Sequence, residues 1–354
     1  MRDNRAIIIG WINKSKPADC GETMKNQLMI KRLEELGVKC YQADFKGWKK
    51  RPWVFLQLLW YLLIHSNSTI IFSTSTINAY PMMKLMKCLH WKQNTVHWVI
   101  GGALGENVKK GIFSKDVMGY IKHTIVESPI MVQQLEDCGI KGVIQLPNFK
   151  PITYYPSIEN RLTTLGKRTF RFVFLSRIMP EKGCDYIFDC VKKLNETGYQ
   201  EKYIVDFYGK IDNNYKANFE NQINEFGNTN YKGFLNLRAN EGYDKLAEYD
   251  IMLFPTYWKG EGFAGVFIDT FISGVPMLAS DWAHNKQFME EGKTAIFVPV
   301  HDISALKNEM QKCIVGQYNI ANMARMCQKN ANIYNTDNVI TKELLLSLGI
   351  IKHL

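Results

Sequence analysis

No hydrophobic run in this chain is long enough to cross a membrane. The longest, residues 53–64 (WVFLQLLWYLLI), falls well short of the ~20 residues a spanning helix needs. The eight cysteines, at 20, 40, 88, 138, 184, 190, 313 and 327, include no Cys-x-x-Cys and no paired spacing. That argues against a zinc ribbon, a dithiol redox motif and a disulfide scaffold, and reads as small buried hydrophobes in a reducing compartment. The opening MRDNRAIIIGW has no charged-then-apolar leader with a cleavage site, so the expectation is a cytosolic protein. No Gly-x-Gly-x-x-Gly follows the first apolar run, which disfavours a dinucleotide oxidoreductase. Hydrophobic residues at 46% and charged residues at 22% leave no place for a disordered or fibrous chain.

Acidic residues are scarce only in one half. Residues 1–150 hold 21 Lys and Arg against 11 Asp and Glu, whereas the rest hold 23 of each, so the whole net charge of +10 sits on the first part. A length of 354 residues suits two domains. The charge split gives them different partners, one of them anionic.

Alternating buried runs and helical periodicities organise both parts. Residues 6–11 (AIIIGW), 38–42, 69–73 (TIIFS), 95–100 (TVHWVI), 123–128 (HTIVES) and 143–146 read as strands, with helices at 22–36 and 129–138. Residues 151–169 are polar and aperiodic and read as a linker. The pattern then restarts. Strands are expected at 171–175, 202–208, 251–254, 276–279 and 295–300, and helices at 185–195, 243–249 and 265–273. Strands separated by helices imply parallel sheets covered on both faces. The expected fold class is α/β, two doubly wound Rossmann-like domains with a cleft between them where a ligand binds. The domains would span 1–150 and 170–334, with the tail 335–354 packing back on the first.

Two loops carry the chemistry. Residues 176–183 (SRIMPEKG) place Arg177 and Lys182 after a buried strand and before a helix. Two cations beside a positive helix end suit a diphosphate, although composition alone also fits an ordinary charged surface loop. Residues 259–269 (KGEGFAGVFID) put three glycines in six residues before another helix, letting backbone N–H groups approach a ligand. Glu261 in that loop and Asp269 one turn into the helix can then contact different parts of the ligand.

Together these segments resemble the donor-binding domain of retaining glycosyltransferases of family 4, which have the GT-B fold. The pattern there is a strand and Gly-Arg-x-x-x-x-Lys-Gly, later a strand, Pro, then Glu, seven residues and a second Glu, and finally Gly-x-Pro and a strand. This chain offers SRIMPEKG, LFPTYWKGEGFAGVFID and SGVPMLASDW, with Glu290, Glu291 and Gly292 before AIFVP. The resemblance covers residues 171–302 closely and the first part loosely.

It implies that Arg177 and Lys182 grip the donor diphosphate and stabilise charge on the departing nucleotide, with Glu261 on the donor sugar. Gly262, Phe263, Ala264, Gly265 and Val266 would line sugar and phosphate through their backbone, and Asp269 would hold the ribose. Phe234 and Leu235 would lie by the base, and Gly21, opening the first long helix, by the phosphates. Ser176 stands where the family has Gly. Asp269 replaces Glu and is one methylene shorter, so its ribose contact needs a water or a small helix shift. No Asp-x-Asp occurs, so no metal and no cofactor is expected, positive side chains neutralising the diphosphate instead. Gly101, Gly102 and Glu106 form a loop on the acceptor side. His97 and His123 lie within strands and read as core or face residues.

The resulting expectation is a metal-independent, retaining enzyme. It would move a sugar from a nucleotide-diphosphate sugar, UDP favoured, to a saccharide or polyprenyl-linked acceptor in capsule, O-antigen or exopolysaccharide synthesis. Residues 46–64 (KGWKKRPWVFLQLLWYLLI) interleave cations with aromatics before an apolar stretch, and read either as a peripheral contact with an anionic membrane or as a buried helix. A nucleotide-sugar epimerase of the same fold is the alternative. A nucleic-acid-binding protein rests only on a pI near 9.0, and no recognised module supports it.

Overall fold

Ala6, Ile7 and Ile8 are fully inaccessible to solvent and Ile9 nearly so, which is what a strand covered on both faces demands. They begin the first of two parallel sheets in a computed structural model that describes residues 4–353. The chain divides into two units: residues up to Pro151 together with the stretch from Tyr334, and Ile152–Ile333.

In the first unit the strands are β1 (Arg5–Gly10), β2 (Lys39–Asp44), β3 (Thr69–Thr74), β4 (Thr95–Val99), β5 (His123–Val126) and β6 (Val143–Gln145), in the order β2-β1-β3-β4-β5-β6. Between them run α1 (Gly21–Glu35), α2 (Val54–Ile64), α3 (Thr76–Cys88), α4 (Leu104–Lys109), α5 (Lys115–Met118) and α6 (Pro129–Glu136). The period-two alternation sorts the core. Ile7, Ile9 and Phe72 face α2 and α3 through Leu58, Leu62, Met83 and Met86. Ala6, Ile8 and Ile71 face α1 and the C-terminal stretch through Met29, Leu33, Ile340 and Leu345.

The second unit repeats the plan with β7 (Phe170–Leu175), β8 (Tyr203–Tyr208), β9 (Thr229–Tyr231), β10 (Ile251–Phe254), β11 (Met277–Ser280) and β12 (Ala295–Val298), in the order β12-β11-β10-β7-β8-β9. Its helices are α7 (Glu159–Thr163), α8 (Cys184–Glu196), α9 (Lys216–Glu225), α10 (Asn240–Leu246), α11 (Gly265–Ile272), α12 (Asn285–Phe288), α13 (Ile303–Ile314) and α14 (Ile320–Ala331). Phe172, Phe174, Val205 and Phe207 pack on α8, α9 and α13. Phe254 turns the other way, onto Phe267 of α11, with ring centroids 5.2 Å apart.

Strand order reverses between β1 and β3 in one sheet and between β7 and β10 in the other. At each reversal, neighbouring strands send their C-terminal loops to opposite faces, opening a crevice where doubly wound sheets bind ligands.

The stretch read as a linker contains α7, whose Ile158 and Leu162 pack on Ala247 and Ala324. Arg161 is buried there and donates to the carbonyls of Tyr249 and Gly274. Its guanidinium bonds explain why so polar a segment belongs to a core. Helix α9 was invisible in the pattern because only Phe219 and Ile223 are buried along it. Of the cysteines, Cys138, Cys184, Cys190, Cys313 and Cys327 are buried, Cys40 is half-buried and Cys20 and Cys88 are exposed; all are free thiols. No helix among the described residues is long and apolar enough to cross a membrane.

Candidate functional site: the β7/β10 crevice

The loops after β7 and β10 meet at the second sheet's reversal and are fastened to each other by backbone. Tyr257 N–H donates to Glu181 O at 2.8 Å. Gly183 lies so close to the second loop that a Cβ there would stand 2.3 Å from Pro255 O, and its φ of +83° is also one that favours glycine.

This fastening brings Lys182 onto Glu261. Both side chains are more than nine-tenths buried, with Lys182 Nζ 2.5 Å from Glu261 Oε2. Thr256 Oγ1 donates to the same carboxylate oxygen at 2.9 Å. A buried ammonium and carboxylate persist only when paired and hydrogen-bonded. The arrangement therefore holds one positive and one negative group ready at the ends of two strands. Arg177 stays exposed at the rim, its Cζ 5.3 Å from the Trp258 ring centroid. Trp258 is held in turn through its carbonyl, which accepts from Trp282 Nε1 at 2.9 Å. Among the described residues Arg177 has no ion-pair partner. It borders a cavity of about 310 Å³ that Lys210, Asp212, Asn213 and Asn214 also line.

The second acidic position is a separate cluster. Asp269 on α11 is buried and accepts from Tyr243 Oη at 3.1 Å. Burial, reinforced by that carboxylate, pushes the Tyr243 phenol well above its ordinary value, so it remains a donor. Ala264 caps α11, and the N–H groups of Gly265 and Val266, in its first turn, have no intrahelical acceptor. The Phe263 side chain faces inward, 4.3 Å from the Phe288 ring centroid, so only its backbone is available to a ligand. Phe234 is 75% exposed and Leu235 half-buried, on the loop after β9.

In the first unit Gly21 is exposed at the start of α1, with open space where a Cβ would project. Gly101 adopts a φ of +102° and Gly102 follows it. Glu106 is exposed on α4, bonded to Lys110 at 3.0 Å. His97 is wholly buried between Thr76 Oγ1 and Phe72 O, at 2.9 and 3.1 Å. The carbonyl fixes a proton on Nδ1, and burial lowers the ring's pKa to about 4, so it is a neutral structural residue. His123 opens β5, and burial followed by the Lys122 charge lowers its pKa too.

Sequence reasoning missed Tyr243, Thr256, Trp258 and a buried pair in the first unit, Lys25 with Glu127 at 2.7 Å. An i, i+5 relation between Thr256 and Glu261 was visible in principle. The pairing of residues 102 positions apart was not. No group of three or more His, Cys, Asp or Glu among the described residues is placed to hold a metal ion.

Residues 160–333 match the family model described as glycosyl transferases group 1. That match lies wholly within the second unit. The whole chain shares the GT-B fold with solved glycosyltransferases at low identity. Anabaena HepE in complex with UDP-glucose superposes with a TM-score of 0.72 at 14% identity, covering 98% of this chain and 100% of that one. Sucrose-phosphate synthase from Thermosynechococcus elongatus gives 0.72 at 15%, over 94% and 95%. The lipopolysaccharide outer core galactosyltransferase WaaB gives 0.69 at 14%, over 98% and 99%. An uncharacterized 41.2 kDa protein in the cps region of Klebsiella pneumoniae is 24% identical over 153 residues, 43% of this chain and only 39% of that protein. The paired loops Ser176–Gly183 and Lys259–Asp269 both lie within the region that the family model matches.

Proposed function

We propose that the protein is a metal-independent, retaining glycosyltransferase of family 4 that takes its sugar from a UDP-sugar. The observation that carries this reading is the buried Lys182–Glu261 pair at the β7/β10 crevice, flanked by Arg177. On this reading the donor diphosphate lies along Arg177 and Lys182, whose charges offset the growing negative charge as the nucleotide leaves. With positive side chains in that role, no metal has to bridge the phosphates. Glu261 accepts from the donor sugar's hydroxyls, Asp269 from the ribose, and the first-turn N–H groups of α11 meet a phosphate or sugar oxygen. Attack and departure on the same face of the sugar need no enzyme carboxylate as a nucleophile, and Glu261 is already occupied by Lys182 and Thr256.

The likeness to structures solved with UDP and UDP-glucose supports a UDP donor. The cps-region relative supports a saccharide or lipid-linked acceptor in surface-polysaccharide synthesis. Both the family match and the neighbours are glycosyltransferases, which disfavours the epimerase reading. Exposed Leu56, Trp60 and Leu63 on α2 and Trp53 just before it, next to Lys49 and Lys50, support peripheral contact with an anionic membrane, and with it a place on its cytoplasmic face. Calorimetric titration with UDP and, separately, GDP in excess EDTA tests the proposal. UDP should bind without metal and lose at least tenfold in affinity on Arg177→Ala. No binding of either nucleotide would overturn the donor site.

A further inference from the structure

The first unit's reversal, between β1 and β3, opens into a cavity of about 640 Å³ that runs between α2 and α3. Ile9 and Phe72 form its floor, Phe55 and Leu59 one wall, Ile77 and Leu85 the other. Of the twenty lining residues none is charged, and only Thr74 and Asn78 carry a hydroxyl or amide. Its walls leave large apolar side chains half or more exposed: Phe55 50%, Leu59 51%, Leu85 51% and Ile77 70%. Such a surface calls for an occupant. A peptide laid there would strand its backbone N–H and C=O groups without partners; a hydrocarbon chain carries no such groups. The groove is about as long as α2, which at 1.5 Å per residue is roughly 16 Å, and its volume is that of a ligand pocket.

One end of the groove is cationic. Gly10, Trp11, Phe45 and Trp48 line it where β1 and β2 hand over to their loops. Those loops carry Lys14, Lys16, Lys46, Lys49, Lys50 and Arg51. The nearby carboxylates are already engaged: Asp19 by Lys46, Glu22 by the N–H of Trp11 at 3.3 Å, and Asp44 by Arg51 at 3.3 Å and by the N–H groups of Ile12, Lys14 and Lys46. Among the described residues Lys14, Lys16, Lys49 and Lys50 have no ion-pair partner. We infer that the groove holds the hydrocarbon chain of a lipid-phosphate acceptor, with its anionic head at the loops after β1 and β2. This rests on the glycosyltransferase reading and narrows its acceptor to a lipid-linked one.

Trp11, Trp48 and Trp91 line the groove, so tryptophan fluorescence reports occupancy. Farnesyl phosphate, added without vesicles, should shift it saturably, and uncharged farnesol should bind at least fivefold more weakly. Leu59→Asp and Leu85→Asp, at exposed wall positions, should each weaken farnesyl phosphate at least tenfold. Leu56→Asp and Leu63→Asp, on α2 outside the groove, should leave it within twofold while reducing binding to anionic vesicles. Lys49→Ala with Lys50→Ala should erase the preference for the phosphate. No saturable shift in the wild type overturns the inference, as does equal loss in the wall and outer variants, which would make the groove part of a bilayer-facing surface. Equal affinity for farnesol and farnesyl phosphate overturns the placement of the head. UDP titration of every variant keeps the two proposals apart, because failure of UDP binding with farnesyl phosphate binding intact would sink only the donor site.

Discussion

The two sheets share a topology, yet what their reversals present to a ligand could hardly differ more. Between β7 and β10 lie a buried ion pair and an exposed guanidinium on an indole, and α11, which follows β10, adds a buried carboxylate held by a phenol. Between β1 and β3 lies a trough of leucine, isoleucine and aromatic side chains with cations only at its end. The scaffold fixes where a ligand goes and leaves the loops and helices to decide which kind. The electrostatics follow the same division. The first unit carries the excess cations yet buries only Lys25 of them, against Glu127, whereas the neutral second unit buries Lys182 against a carboxylate and Arg161 against two carbonyls.

The sharpest way to break this comparison is to unpair the second unit's charges. Lys182→Met or Glu261→Leu alone strands a buried charge and should cost about 3–5 kcal/mol, while the double variant should recover most of the loss. Denaturant titration measures it, and a double variant no more stable than either single one would refute the pairing argument.

The first unit should instead show its hidden charge through pH. His97 stays neutral in the fold down to about pH 4, whereas the unfolded ring takes up a proton near 6.5. Stability is therefore complete above 6.5 and falls as pH drops toward 4, by up to about 3 kcal/mol. His97→Gln should flatten that part of the stability–pH curve, and an unchanged slope would contradict it.

Glycines distinguish the two crevices by a smaller amount. Gly183→Ala combines a φ of +83° with a 2.3 Å approach to Pro255 O and should cost about 1–3 kcal/mol. Gly21→Ala has open space for its Cβ and should be close to neutral. Thermal melts compare them directly. Smallest of all, Tyr243→Phe removes one donor from Asp269 and should weaken UDP by about 1 kcal/mol, roughly fivefold. An unchanged UDP affinity by calorimetry would detach Asp269 from the donor.

Most strands were legible because runs such as AIIIG and IMLF leave no polar residue to face water, and a parallel sheet between helices is the outlet for such runs. The two loops that meet at the β7/β10 crevice were legible because Arg177, Lys182 and Glu261 lie within short segments whose spacing stands out in the sequence. What escaped was tertiary. Tyr243 meets Asp269 from another helix, Lys25 meets Glu127 across 102 positions, and Arg161 turns a polar stretch into core by donating to two carbonyls. The apolar run in α2 announced itself, but the trough exists only because α3 stands beside it on the same face of the sheet. That neighbour relation follows from strand order, which no local pattern contains.

The backbone fastening of the β7 and β10 loops has a consequence for engineering. Since Glu181 O receives Tyr257 N–H and Gly183 fits under Pro255, a loop grafted alone from a relative would arrive without its mate. Any exchange of these loops with a relative's therefore means transplanting residues 176–183 and 255–265 as one cassette.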